Sequence, residues 1–278
     1  MTIRGTTALV AHLGFPTDAF VSPLIYNPYF EQAGIDAVVV PMGCRAEHLP
    51  ECLAAVFRLT NVRGALITMP HKVTTVALLD EASPAVRIAG SCNAVRRTAG
   101  GRLQGDLFDG EGFVRALRAK GCRLEGAQAL VAGAGGVGSA IAASLAAAGA
   151  ASIAVCDSHA NAARALAGRI GMHYPHVGVA AGESDPAGFD IVVNATPLGM
   201  SQSDPMPMDV DRIPRGTFVG DVVMTGFTTP FIAAAQARGC RVQPGIDMLF
   251  EQIPLYLEFF GFPPTTAEQL REIAKGVL

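Results

Sequence analysis

The stretch Ala129–Ala140, reading A-L-V-A-G-A-G-G-V-G-S-A, constrains this chain more than any other. Leu130, Val131 and Ala132 read as the end of a buried strand, and the alanine-rich run Ile141–Ala148 reads as a helix. Between them Gly133, Gly135 and Gly138 fall in the order G-x-G-x-x-G. Glycines so placed suit a tight turn, close backbone approach to a pyrophosphate, and close helix-to-strand packing. The helix N-terminus brings N–H groups and a positive dipole end to the same spot. A second strand, Ser152–Cys156, ends in Asp157, 19 residues beyond Gly138, about where a carboxylate reaches a ribose 2′-hydroxyl. The combination predicts a dinucleotide site. The alternative is a tight turn in an ordinary α/β domain.

A chain of 278 residues holds one large domain or two ordinary ones. A hydrophobic fraction of 50% against 16% charged residues predicts a well-cored globular protein. The net charge of −3, with no Lys/Arg run, gives no reason to expect nucleic acid or an anionic membrane as partner. Six cysteines are scattered without a C-x-x-C pair, which suits reduced thiols in a cytoplasmic protein. Cys44 and His48 alone do not make a metal site, so no metal is expected. The N-terminus lacks a signal-peptide pattern, and no apolar run approaches the ~20 residues of a membrane helix.

In chain order, strands are expected at Thr7–Leu13, Ala37–Pro41 and Gly64–Met69. Helices are expected at Leu24–Ala33 and Leu49–Leu59, and a further one starting at Thr74. Cys92–Arg96 and Arg102–Gly105 form a hairpin across Gly100-Gly101, and Asp109 opens a glycine-rich loop before a helix Phe113–Lys120. This half predicts a small parallel or mixed sheet of its own. From Ala127 onward strands at Ser152–Cys156, Val177–Ala180, Asp190–Asn194, Thr217–Val223 and Cys240–Gln243 alternate with helices. That rhythm predicts a doubly wound Rossmann sheet. Asp247–Phe260 and Thr266–Leu278 read as closing helices returning to the first domain. The expected division is a first domain of residues 1–110 completed by 247–278, and a dinucleotide-binding domain of 111–246.

Open α/β sheets place their sites beyond the carboxyl ends of strands. Lys72 follows the strand ending at Met69, where an ammonium can hold a developing alkoxide and exchange its proton. A solvated surface lysine is the competing reading. Asp109 suits a partner carboxylate and equally a helix N-cap.

Eight ordered blocks carry a resemblance: G-F-P-x5-S-P-x-x-Y-N (14–27), I-T-M-P-H-K (67–72), N-A-V (93–95), G-D-L-F-D-G-E-G (105–112), G-A-G-G-V-G (133–138), N-A-T-P-L-G-M (194–200), D-V-V-M-x4-T-P (221–230) and G-x-x-M-L-x-x-Q (245–252). In this order they resemble the shikimate and quinate/shikimate dehydrogenases across nearly the whole chain. The resemblance implies an α/β substrate domain, a Rossmann cofactor domain and C-terminal helices packing back. It implies hydride transfer between NAD or NADP and a secondary alcohol of a cyclic hydroxy acid, with Lys72 and Asp109 on the catalytic Lys and Asp positions. Ser22, Thr68, Asn93 and Gln252 fall on substrate-binding positions, with Phe20 and Met224 beside them. Gly133, Ala134, Gly135, Gly136, Val137, Gly138, Asp157, Ser158, Asn194, Thr196, Pro197, Val222, Gly245 and Met248 fall on the cofactor side. A monomer or homodimer is expected.

The chain also departs from the pattern. The family's Ser-x-Ser, which holds the substrate carboxylate, is Phe20-Val21-Ser22. Leu66 stands for an Asn, Leu107-Phe108 for Asn-Thr, Ala94 for a Thr and Met224 for a Tyr. Each swap removes a polar partner, and a buried group left unpaired costs ~1–3 kcal/mol. Poor shikimate activity and a less polar or differently placed substrate are therefore expected. Asp157-Ser158-His159 stands where NADP-preferring members carry Asn-Arg-Thr, which predicts NAD, because a carboxylate repels a 2′-phosphate. A non-catalytic NAD-binding regulator is the reading from another class, and the presence of both Lys72 and Asp109 speaks against it.

Overall fold

The computed structural model describes residues 2–18 and 20–275. The chain divides into two units, one of Met1–Phe108 with Ile253–Leu278 and one of Asp109–Gln252.

The first unit is built on a six-stranded mixed sheet. Its strands are β1 (Ala8–Gly14), β2 (Ala37–Gly43), β3 (Val62–Ile67), β4 (Glu81–Ala82), β5 (Ala94–Arg97) and β6 (Leu103–Asp106), in the order β2-β1-β3-β5-β6-β4. β1 lies parallel between β2 and β3, and β5 runs antiparallel to β3 and β6. Around it lie α1 (Ser22–Gln32), α2 (Leu49–Val56), α3 (Pro84–Ala89) and α9 (Ala267–Ala274). Helix α1 begins at Ser22, two residues ahead of the expected start, with a proline in its first turn where the missing N–H costs nothing. Asn27, from α1, donates to the Val39 carbonyl at 3.1 Å and accepts from the Val39 N–H at 2.8 Å, occupying the outer edge of β2. The expected helix at Thr74 is a single 3₁₀ turn, Thr74–Leu78. Helix α3 was not foreseen, although Ser83 caps it through the Val86 N–H and Gly90 ends it at φ 69°. The chain's last helices complete this unit. Phe262 meets the buried Phe30 at 5.0 Å between ring centroids, and Phe260 lies on Gly64 of β3, where a Cβ would collide with its ring.

The second unit holds β7 (Gln128–Ala132), β8 (Ser152–Cys156), β9 (Gly178–Ala181), β10 (Ile191–Asn194), β11 (Phe218–Asp221) and β12 (Arg241–Gln243). They are all parallel, in the order β12-β11-β10-β7-β8-β9. The chain winds outward from β7 to β9, returns to β10 and winds outward the other way. This is the doubly wound dinucleotide-binding order, whose switch point lies between β7 and β10. Every residue of β10 is buried, as expected for a parallel strand covered on both faces. The crossovers include α5 (Gly136–Ala147), α6 (Ala160–His173) and α7 (Pro230–Ala237), and α4 (Asp109–Ala119) precedes β7. Helix α8 (Gly245–Phe259) starts in this unit and ends in the first.

Helix α4 corrects the expected glycine-rich loop. It starts at Asp109, so Asp109 sits in its first turn. Gly110 and Gly112 are packing glycines. A Cβ on Gly110 would strike the Ala140 carbonyl of α5, and one on Gly112 would strike the Gln252 side chain of α8. The expected last helix, Thr266–Leu278, is α9 up to Ala274, and positions 276–278 lie outside the described residues.

Candidate active site

In the first unit the candidate residues gather at the carboxyl ends of β1 and β3 and the start of β5. The Thr68 N–H donates to the Leu13 carbonyl at 2.9 Å, and the Ile67 N–H to the Asn93 carbonyl at 2.8 Å. A turn closed by the His71 N–H on the Thr68 carbonyl, 2.9 Å, leads into Lys72. The fully buried His71 ring donates through Nε2 to the Cys44 carbonyl at 2.7 Å, and the Lys72 carbonyl accepts from the Cys92 N–H at 2.8 Å. The Lys72 backbone is thus held from both sides, and its side chain is half-buried. Asn93 is 1% exposed. Its Oδ1 accepts from the Phe108 N–H at 3.0 Å, while its Nδ2 has no partner. A buried amide left half-satisfied marks a place where something else is expected to bind.

Gly14 lies under Thr68 and Phe20, and a Cβ there would collide with both side chains. Phe20 stacks on His12 with ring centroids 4.1 Å apart. His12 had not been singled out. Its one visible signal is a titratable residue inside an otherwise apolar strand. Burial, helped by the Lys72 charge, pulls its pKa down to about 4, so the ring is neutral at physiological pH. Ser22 lies two residues beyond Phe20, at the partly exposed start of α1.

In the second unit the glycine turn follows β7. Gly133 has φ 106° and donates to the Cys156 carbonyl at 2.7 Å, and Gly138 lies against the Gly133 carbonyl, leaving no room for a Cβ. Gly135, the N-cap of α5, carries no side chain, and a Cβ on it would meet nothing within 4 Å. The turn is therefore closed at Gly133 and Gly138 and open at Gly135, the arrangement a pyrophosphate needs at a helix N-terminus. Asp157 accepts from the Ala134 N–H at 2.7 Å and from the His159 N–H at 2.8 Å. Burial works against its charge, but these two hydrogen bonds outweigh burial and hold its carboxyl below the usual range. Ser158 sits beside it, 3.4 Å from Oδ1.

Across the switch point Asn194 is fully buried. Its Nδ2 donates to the Leu198 carbonyl at 2.9 Å and to Asp221 at 3.1 Å, and its Oδ1 accepts from the Thr196 N–H and hydroxyl. Every polar atom of the amide is satisfied within the chain, so the Asn194 side chain shapes the loop bearing Thr196 and Pro197. Asp221, which opens the D-V-V-M block, ties that loop to the next by accepting from the Thr229 hydroxyl at 2.7 Å and the Val223 N–H at 3.0 Å. Gly245 packs against the carbonyls of Val222 and Val223, and Met248 is buried with its carbonyl close to Gly112. Gln252 donates to Oδ1 of the buried Asp109 at 3.2 Å. Met224 stands half-exposed beyond β11.

Residues 13–95 match the family model described as the shikimate dehydrogenase substrate binding domain. Over 281 residues, and 100% of both chains, the sequence is 35% identical to the shikimate dehydrogenase (NADP(+)) of Acidiphilium cryptum. Among solved structures, the fold is similar to quinate dehydrogenase from Corynebacterium glutamicum in complex with NAD, with TM-score 0.86, 29% identity, and 96% and 98% of the two chains covered. It is also similar to the 5-ketofructose reductase of Gluconobacter sp. strain CHM43, with TM-score 0.87, 26% identity, and 98% and 99% covered. With a doubly wound sheet, a glycine turn fitted to a dinucleotide and a full-length relative at this identity, the chain belongs to the shikimate dehydrogenase family and is an NAD(P)-dependent oxidoreductase of the shikimate/quinate type.

Proposed function

We propose that this enzyme interconverts a secondary alcohol and a ketone on a hydroxylated, shikimate-like ring compound, with NAD as the preferred cofactor. The observation that carries the substrate side is the buried, unpartnered Nδ2 of Asn93, next to Cys92, whose N–H donates to the Lys72 carbonyl. It is a directed donor suited to a substrate oxygen, and Thr68 and Ser22 are hydroxyls that could join it. Lys72 is the group that moves the hydroxyl proton, stabilising an alkoxide as its own proton is exchanged. Asp109, oriented by Gln252, is the carboxylate that holds a substrate hydroxyl.

The residues around the glycine turn fit a dinucleotide: Gly135 leaves space for the pyrophosphate, with Ala134, Gly136 and Val137 at the α5 N-terminus. Once bound, the nicotinamide supplies or accepts the hydride. Asp157 and Ser158 lie where ribose hydroxyls are read, and a carboxylate held ionised there repels a 2′-phosphate. The relative from Acidiphilium cryptum is named for NADP(+), so the NAD preference rests on Asp157 alone. Six free cysteines support a reducing compartment, the cytoplasm.

The test follows reduced-nicotinamide absorbance against shikimate, quinate and simpler hydroxylated ketones. Turnover is expected on at least one of them, weaker on shikimate than in dedicated enzymes. Lys72→Ala is expected to lose turnover by roughly 10²-fold or more, with NAD affinity unchanged. A wild-type chain that binds NAD and turns over none of them supports the regulator reading instead.

A further inference from the structure

His12 is an unusual residue for its place. It lies in β1, between β2 and β3, opposite Pro41 and Leu66 in the register, and is 7% exposed. Its Nδ1 has no hydrogen-bond partner. A buried ring nitrogen without a partner costs free energy unless a ligand uses it. One face of the ring is covered by Phe20, at 4.1 Å and an interplanar angle of 25°. Phe20 can lie there because Gly14, beneath it, has no side chain. The arrangement is therefore built from three positions, a bare glycine, a ring laid on it and an imidazole stacked on that ring, with Thr68 at the margin.

We propose that His12, backed by Phe20, is a specificity-determining residue that recognises an uncharged hydroxyl or carbonyl of the substrate and not a carboxylate. A hydroxyl both donates and accepts, so it satisfies a neutral imidazole in either tautomer. A carboxylate only accepts, and a neutral ring backed by an apolar one offers it no compensating charge. The nearby Lys72 charge favours the neutral ring. The substrate class that follows is a polyhydroxylated ring or ketone whose group at this position is neutral. The inference rests on the first unit being the substrate side.

The experiment measures dissociation constants by calorimetry, and kcat/KM, for shikimate and its methyl ester, which differ in charge. It uses the full-length chain and the variants His12→Phe, His12→Leu and His12→Asn. The unaltered chain is expected to bind the two compounds within about tenfold of each other. His12→Phe and His12→Leu remove the nitrogen and are expected to weaken both compounds by at least about fivefold, with the NAD dissociation constant unmoved. His12→Asn restores a donor and an acceptor and is expected to bind both more tightly than His12→Leu. A smaller loss in the nitrogen-free variants, no gain in His12→Asn, or more than about tenfold preference for shikimate overturns the inference. If the unaltered chain binds neither compound, the proposed substrate class fails and this inference fails with it. If it binds both and turns over neither, only the proposed chemistry fails, and the binding comparison still decides the role of His12.

Discussion

At the scale of single residues, the informative positions are buried groups whose charge or hydrogen bonding is forced by their surroundings. His12 is one. Unfolded, its ring takes up a proton as the pH falls below 6.5, whereas folded it resists until about pH 4. The unfolded state therefore binds more protons between those values, and stability is full above pH 6.5 and falls as the pH drops through that window. The loss is expected to reach about 3 kcal/mol by pH 4. Melting temperatures of the wild type and His12→Phe across that range check it, since the variant lacks this component. Asp157 is the second. Both its oxygens accept backbone N–H groups, which fixes a negative charge beside the glycine turn. Asp157→Ala is expected to raise the NAD dissociation constant about tenfold and to abolish the proposed preference over NADP. A titration in which the preference survives would remove Asp157 from the cofactor role. Asp157 stands out in the sequence by its spacing from the glycine turn, while Lys72 and Asp109 become candidates over a surface lysine and a helix cap only through the family resemblance. What His12 and Asp221 do was not readable, since it depends on which side chains the fold lays against them: Phe20 for one, Asn194 and Thr229 for the other.

At the scale of elements, glycines decide how closely helices approach their neighbours. The G-x-G-x-x-G turn was legible because a strand before it and a helix after it give each glycine a task. The G-E-G at Gly110–Gly112 reads as a loop in the sequence, because glycine lowers helix propensity and the sequence does not show what those positions press against. In the structure α4 packs on α5, and a side chain on Gly110 would displace the Ala140 carbonyl. Gly110→Ala is expected to destabilise the second unit by roughly 1–3 kcal/mol, measured by urea unfolding. Gly138→Ala is expected to cost as much and also to abolish NAD binding, because a Cβ there would push α5 away from the Gly133 carbonyl and distort the turn. Normal NAD affinity in Gly138→Ala would show that the turn's close packing is not needed. Helix α3 illustrates a signal that was present and passed over: Ser83-Pro84 starts it and Gly90 stops it, but six residues give little periodicity to read.

At the scale of the whole molecule, the first unit is made from both ends of the chain. Phe260 covers Gly64 of β3 and Phe262 meets Phe30, so residues beyond Gln252 supply part of that unit's core. A chain ending at Gln252 is expected to lose amide-exchange protection in β1 and β3 while keeping it in β7 and β10, whose core is formed within the second unit. Retained protection in β1 would show that the first sheet stands without the C-terminal helices. The α/β class, the alternating rhythm of the second sheet and the glycine turn could be read from the residues alone, because each is written in local spacing that the backbone must obey; the family came from the resemblance of ordered motif blocks. It took the folded chain to show that α4 begins at Asp109, that the Asn194 amide is used up inside the chain, and that His12 lies buried against Phe20 with its Nδ1 unpartnered. Those outcomes depend on which distant groups meet in a dry interior, where one hydrogen bond made or missed outweighs any local propensity.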